Sequence, residues 1–483
     1  MERVGLEGSL CASLPTEVDG LALSASGHST EHGTFGQCSA RGRSDMFAIL
    51  PGTSGTRGGV WRALAAEFQN SLRSLSMADT NNGARPIAAG ATRRPLLRAD
   101  ELLESALRRG KRSDFADRSF IRHFELLLKA CNEEADLSSF GRHALRIDVL
   151  RCLRNLLHFD RMEANCPAVL SRPIYAPVFI TGMPRSGTTF LHRLILQDPG
   201  TIAPRLFQLV YPYASRAGFG TALRKRWVSL QLALFRMIAP ELNTLHPVAV
   251  ESPEECTDIT AQVFQSLRFD AMYRVPSYNS WLERNGFLEA YRFHRRFLQH
   301  LDAQLPGGRW ILKSPDHLFA LDDIRRVYPD AHLVLVHRDP VRVLASVAKL
   351  TEVLRRPFAR SIDRMEIGRE VSASWIEGAR RMGALADDAS VLHLNYRHIV
   401  AQPLDSVRAV YRHCGLPLSK EAEERMRSWL RAAANVTRPW RDYRLAEFGL
   451  DAQLLRERFA SYTATFGIET EHFATESLGG VPA

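Results

Sequence analysis

An apolar strand that runs straight into a glycine loop and out into a helix constrains this chain more than any other feature. Residues 178–195 read VFITGMPRSGTTFLHRLI. Gly182 follows the apolar run, Gly187 comes five positions later, and Thr188 and Thr189 open the helix. Glycine permits the tight turn and a close approach of backbone N–H groups to an anion, and the helix N-terminus adds its positive end. Strand, loop and helix in this order make a phosphate cradle. An ATP-hydrolysing loop would carry Lys after the second glycine, to hold the γ-phosphate. Here Thr188 stands there and the cation is Arg185. The loop suits a phosphate or sulfate donor that is not processed as ATP.

The surrounding pattern is α/β. Val178 to Ile180, Trp310 to Leu312, Leu333 to His337 and Val391 to Leu394 read as short buried strands separated by helical stretches. That alternation predicts a P-loop-like three-layer domain with a central, mainly parallel sheet. It is expected over residues 173–474, with a helical insertion at 205–305 and a tail at 475–483. Residues 96–172 read as a helical segment packing on that core: Phe120, Phe124, Leu127, Leu128 and Cys131, then Leu145, Val149, Cys152, Leu153 and Leu156, recur at helical spacing. Residues 1–95 are rich in Gly, Ser, Ala and Thr. They are expected to be a disordered or non-native extension, and Met77 would make a sensible start.

Composition removes whole classes of function. With 45% hydrophobic and 24% charged residues, the 483-residue chain is neither disordered throughout nor fibrous. No run reaches the ~20 apolar residues of a membrane span. The net charge is +10, but Lys occurs only at 111, 129, 225, 313, 349 and 420, so 57 of the 63 basic residues are Arg. That bias weakens a nucleic-acid reading based on charge, although an anionic ligand fits it. The seven cysteines are scattered, with no C-x-x-C pair and no zinc spacing. The expectation is a reduced, cytoplasmic protein with no metal.

A second motif, AHLVLVHRDPVRVLASVAKL (331–350), ends a strand at Arg338. Asp339 is a natural N-cap, Pro340 fits the first helical position, and Ser346 follows Arg338 by eight residues. Arg338 therefore stands at the C-terminal end of a strand, where α/β sheets bind ligands.

Together the two motifs resemble the sulfotransferase superfamily, in its bacterial-type branch, whose members use 3′-phosphoadenosine 5′-phosphosulfate (PAPS). The likeness covers about residues 96–470. It implies that Arg185, Ser186, Gly187, Thr188 and Thr189 bind the donor's 5′-phosphosulfate and that Arg338 with Ser346 binds its 3′-phosphate. It also implies that Phe190 and Tyr396 lie against the adenine. Lys313, a Lys in a chain that otherwise favours Arg, is the candidate to neutralise the bridging or sulfonate oxygens beside Arg185, the alternative being a surface charge at a strand end. His317 in LKSPDHL is similar to the base of the cytosolic branch, with an insertion before the His; Glu254 and Glu255 in SPEEC are the carboxylate alternatives. Two departures stand out. Relatives carry a Trp-Glu pair where this chain has Phe207-Gln208, and Gln cannot serve as a base. The C-terminal Arg-Lys-Gly element is missing, leaving Arg438 or Arg441 as possible substitutes.

The resemblance implies an enzyme that sulfates a hydroxyl or amine of a small-molecule, lipid or carbohydrate acceptor, with PAPS as co-substrate, no metal and no nucleic-acid partner. The acceptor itself and the oligomeric state are not legible. The alternatives are a P-loop kinase or NTPase, which lacks its Lys, and a basic nucleic-acid-binding protein, which lacks any recognition signature.

Overall fold

The computed structural model describes residues 96–213, 220–305, 307–434 and 443–471. The expectations for 1–95, for Arg438 and Arg441 and for the tail at 475–483 lie outside the described residues.

Three helices open the described chain: α1 (Ala99–Gly110), α2 (Ile121–Glu133) and α3 (Ser139–Asn165). Then come β1 (Val178–Gly182), α4 (Thr188–Ile195), β2 (Thr201–Ile202), α5 (Thr221–Ile238) and α6 (Leu288–Asp302). Next are β3 (Arg309–Lys313), β4 (His332–His337), α7 (Pro340–Arg355) and β5 (Val391–Asn395).

The five strands form one parallel sheet in the order β2-β3-β1-β4-β5. The chain is thus α/β, with the mainly parallel sheet that its short apolar strands predict. Side chains of a strand alternate between faces, and both faces here are covered. Val178 and Ile180 pack with Leu191, Leu194 and Ile195 of α4 on one side. Phe179, Leu312, Leu333 and Leu335 join the opposite core, which also takes Phe124, Leu127, Val149 and Leu153 of α2 and α3. The N-terminal helices therefore share the core of the sheet's second face.

The order places β1 at the centre, between β3 and β4, so both loops that leave it face neighbouring strand ends. Ile180 is level with Lys313 and Gly182 with Val336. Gly182 has φ +142°, and a Cβ there would lie 2.3 Å from the Val336 carbonyl oxygen, so the strand exit admits only glycine. Asp339 caps α7, its Oδ1 accepting from the Val341 amide at 2.9 Å, with Pro340 at the first helical position as the Asp-Pro pair predicts. The edge strand β2 was not expected: two residues pairing with Arg309 and Trp310 leave no periodic signature.

Candidate active site

At the C-terminal ends of β1, β3 and β4 opens a cavity of about 1850 Å³. Arg185, Gly187, Thr188, Thr189, Phe190, Arg338 and Tyr396 line it, so seven residues singled out in the sequence come together on its walls.

The loop between β1 and α4 is shaped by two left-handed residues, Arg185 at φ +65° and Gly187 at φ +92°. At Gly187 a Cβ would meet the Tyr396 ring at 2.8 Å, so the ring can close over the loop only because no side chain is there. Arg185, which does carry a Cβ, holds this conformation at a cost of about 1–2 kcal/mol. Its guanidinium donates to the Leu245 carbonyl at 2.9 Å. The Ser186 hydroxyl is fully buried and has no hydrogen-bond partner. An orphaned buried hydroxyl costs about 1–3 kcal/mol unless something accepts from it. The first amides of α4, which a helix leaves without internal acceptors, start at the same loop. This is the chemistry of an anion cradle, and it fits a phosphosulfate group.

Arg338 is the second cationic group. It is 6% exposed, and its guanidinium lies 3.9 Å from the Tyr396 ring centroid. One nitrogen donates to the Arg185 carbonyl at 2.7 Å, binding the two motifs together. The remaining pair forms a fork on Glu471, at 2.8 and 2.7 Å. The Glu471 amide in turn donates to Asp339 at 2.7 Å. A planar fork of this kind suits carboxylate and phosphate alike, and here the Glu471 side-chain carboxylate occupies it. Nothing in the sequence marked Glu471. Ser346 is buried on α7 and does not line the cavity. Phe190 packs beside Trp429, with ring centroids 5.6 Å apart.

The opposite wall is built by side-chain pairs. Lys313, 2% exposed at the end of β3, does not reach the cavity; its Nζ donates to Glu255 at 2.6 Å, and Glu255 does line it. Burial opposes the Glu255 charge, but Lys313 and His246 outweigh it and hold its pKa below the ordinary carboxylate range. His246, unnoticed in the sequence, is a half-buried wall residue 3.6 Å from Glu254. Burial disfavours its charged form, yet the Glu254 hydrogen bond and the charge of Glu255 raise its pKa above the usual value. Asp316 donates nothing as a carboxylate; it accepts from Thr257 at 2.5 Å, and burial pushes its pKa up to about 7.

His317, the base expected from the sequence, lies elsewhere. It is 1% exposed within the core, edge-on to Phe179 at 4.9 Å, with Nδ1 bonded to the Tyr291 hydroxyl at 2.6 Å. Burial, with His294 and Lys313 nearby, holds its pKa well below the usual value. Residues 315–320 form a 3-10 turn, in which successive side chains are rotated by ~120°. Asp316 therefore meets the cavity and His317 meets the core. Gln208, where the sequence resemblance led to the expectation of a Glu, accepts at its Oε1 from the Arg205 amide at 2.9 Å and caps the helix Leu206–Val210.

Comparison with known proteins decides the family. Residues 177–420 match the model described as "Sulfotransferase family". The chain belongs to the sulfotransferase family. Among solved structures, a sulfotransferase of Mycobacterium tuberculosis H37Rv is 30% identical, with TM-score 0.66, covering 76% of this chain and 99% of that one. A sulfotransferase of Mycobacterium avium is 28% identical, with TM-score 0.68, covering 80% and 99%. Curated relatives in Mycobacterium bovis and Mycobacterium tuberculosis are named omega-hydroxy-beta-dihydromenaquinone-9 sulfotransferases. Each is 24% identical over 249 residues, which is 50% of this chain and 63% of the relative's length. Among the described residues, no helix is long and apolar enough to cross a membrane. No group of three or more His, Cys, Asp or Glu among them could hold a metal ion.

Proposed function

We propose that the enzyme transfers a sulfuryl group from PAPS to a hydroxyl of a lipid-like acceptor. The observation that carries this reading is the meeting of two anion grips on one cavity wall, the Arg185–Thr189 loop and the Arg338 fork, joined by the bond from Arg338 to the Arg185 carbonyl.

Arg185 and the first amides of α4 hold the 5′-phosphosulfate, and the Ser186 and Thr188 hydroxyls donate to it. Arg338, with Ser346 behind it on α7, takes the 3′-phosphate in place of the Glu471 carboxylate. Phe190 and Tyr396 bracket the adenine. The bound donor supplies an activated sulfuryl group on a good leaving group. The protein's work is then to align the acceptor, balance the charge and remove one proton. Lys313 holds the cavity-lining Glu255 in place and ionised. Glu255 accepts the acceptor's proton: its low pKa keeps it ionised at neutral pH, and it faces the cavity where His317 does not. His317 orders the turn behind it. No metal enters this scheme.

Apolar walls from Leu232, Phe235, Leu267, Met272, Leu350 and Leu354 support an acceptor with a hydrocarbon body. The curated relatives, named for an omega-hydroxylated quinone, point the same way. A cytoplasmic site of action goes with this reading, and the described cysteines are free thiols.

Thermal unfolding with adenosine 3′,5′-bisphosphate, against AMP and ATP, tests the donor. Selective stabilisation by the bisphosphate is expected; an equal response to ATP would sink the donor assignment. Labelled PAPS with an omega-hydroxylated isoprenoid quinone, against a polar phenol, then tests the acceptor. Preferential labelling of the phenol would overturn the lipid reading.

A further inference from the structure

Helix α5 presents apolar side chains on two opposite faces. Leu232 and Phe235 turn inward and line the cavity. The outward face carries Leu230, 47% exposed, and Met237, 61% exposed, with the exposed Ala233 between them. Arg226, Leu230, Ala233 and Met237 follow at steps of four, three and four, which keeps them on one stripe. Ile238, 36% exposed, borders it. Two large apolar side chains, Leu230 and Met237, left in water on one stripe ask for a partner.

The charge on α5 identifies the partner. Its 18 residues, TALRKRWVSLQLALFRMI, contain four basic residues and no acidic one. Arg224 is buried against the Tyr211 and Pro212 carbonyls, and Lys225 is paired with Glu251 at 2.5 Å. Arg226 is exposed at the N-terminal end of the stripe, and Arg236 is exposed at the cavity rim, where it donates to the Val248 carbonyl at 2.6 Å. An exposed apolar stripe that begins at an exposed arginine, on a helix ~27 Å long with basic and no acidic residues, is the pattern of a helix that lies in the plane of a bilayer. Its apolar residues reach the acyl boundary and its cations meet anionic headgroups.

We infer that α5 is a membrane-docking helix whose outward stripe binds an anionic lipid bilayer surface. The helix is also a wall of the cavity, so docking sets the cavity rim against the lipid. An apolar acceptor then passes from bilayer to enzyme without crossing water. The docking stands apart from the donor and acceptor reading, because its readout needs neither ligand nor turnover.

The test is cosedimentation of the full chain with vesicles of phosphatidylcholine alone and with one-third phosphatidylglycerol. Binding to the anionic vesicles is expected, with at least a tenfold loss in Leu230→Ser/Met237→Ser. Arg226→Gln should weaken binding to anionic vesicles and lower its salt sensitivity. All three sites are on the surface, and unchanged thermal unfolding would verify intact folding. A gain-of-signal variant, Met237→Trp, should be quenched by brominated anionic lipid beyond the wild-type response. Three results would overturn the inference. One is equal sedimentation of the Ser variant and wild type, another is no binding to either vesicle. The third is a wild-type dimer that the Ser variant converts to monomer, which would assign the stripe to a second copy of the chain.

Discussion

At the glycine-loop end of the cavity the chain holds its groups by backbone geometry; at the Glu255 end it holds them by side-chain pairs. The loop from Gly182 to Thr189 is a local construction, set by two left-handed residues and the start of a helix. Glu255 and Lys313, by contrast, are 58 positions apart. A backbone cradle keeps its shape when one side chain is lost. A paired wall leaves a buried charge alone when either partner goes, which is the costlier failure. The two ends should therefore respond differently to substitution.

The sharpest separation is at Arg185 and Glu255. Arg185→Ala removes a cation and leaves the loop amides in place. Turnover of PAPS should fall by about 10²–10³-fold, and stabilisation by the bisphosphate should weaken in the same thermal titration. Undiminished stabilisation would move the donor site elsewhere. Glu255→Gln should cost about 10²-fold in turnover while keeping the bisphosphate response. If donor binding fails as well, the two ends are one unit and the contrast is broken.

His317→Ala sharpens the contrast from the other side. It leaves the Tyr291 hydroxyl without its partner inside the core, so stability should drop by about 1–3 kcal/mol in urea unfolding. Activity per folded molecule should stay within a few-fold of wild type. A loss matching that of Glu255→Gln would return His317 to the chemistry.

A pH effect follows from Asp316. Its folded pKa is raised to about 7 by burial, whereas an unfolded Asp titrates near 4. Between these values the folded state binds more protons than the unfolded one. This group's contribution is therefore fully present below the unfolded pKa and is lost as pH rises through about 7. Asp316→Asn should gain stability relative to wild type between pH 5 and pH 8, by roughly 1–3 kcal/mol. Urea midpoints at the two pH values measure it, and an unchanged difference would refute the shift. The smallest effect belongs to Glu471→Gln, which weakens the carboxylate's hold on Arg338. Bisphosphate affinity should rise by up to about fivefold in calorimetric titration.

What was legible follows the same division. The glycine loop, the Asp339–Pro340 cap and four of the strands depend on neighbours within a few residues, so their signals lie together in the sequence. The sheet's order places β1 between β3 and β4 and brings Arg185 and Arg338 together, as their positions at strand ends suggested. His246 and Glu471 gave no signal, because each acquires its role from partners reached only through the fold. His317 shows the limit of motif matching. The LKSPDHL spacing identifies the right turn, but a rotation of one residue gives the cavity to Asp316 and the core to His317. Only burial distinguishes the two.

The bond from Arg338 to the Arg185 carbonyl has a bearing on nucleotide choice. It ties the two anion grips by a link of 2.7 Å, so the span between them is set by the protein before any nucleotide arrives. A site of fixed span works as a caliper. A nucleotide with anionic groups at both ends of its ribose fills both jaws, and one that lacks the 3′-phosphate closes only one. AMP and ATP carry the same adenine, so discrimination against them would come from the 3′-phosphate that they lack.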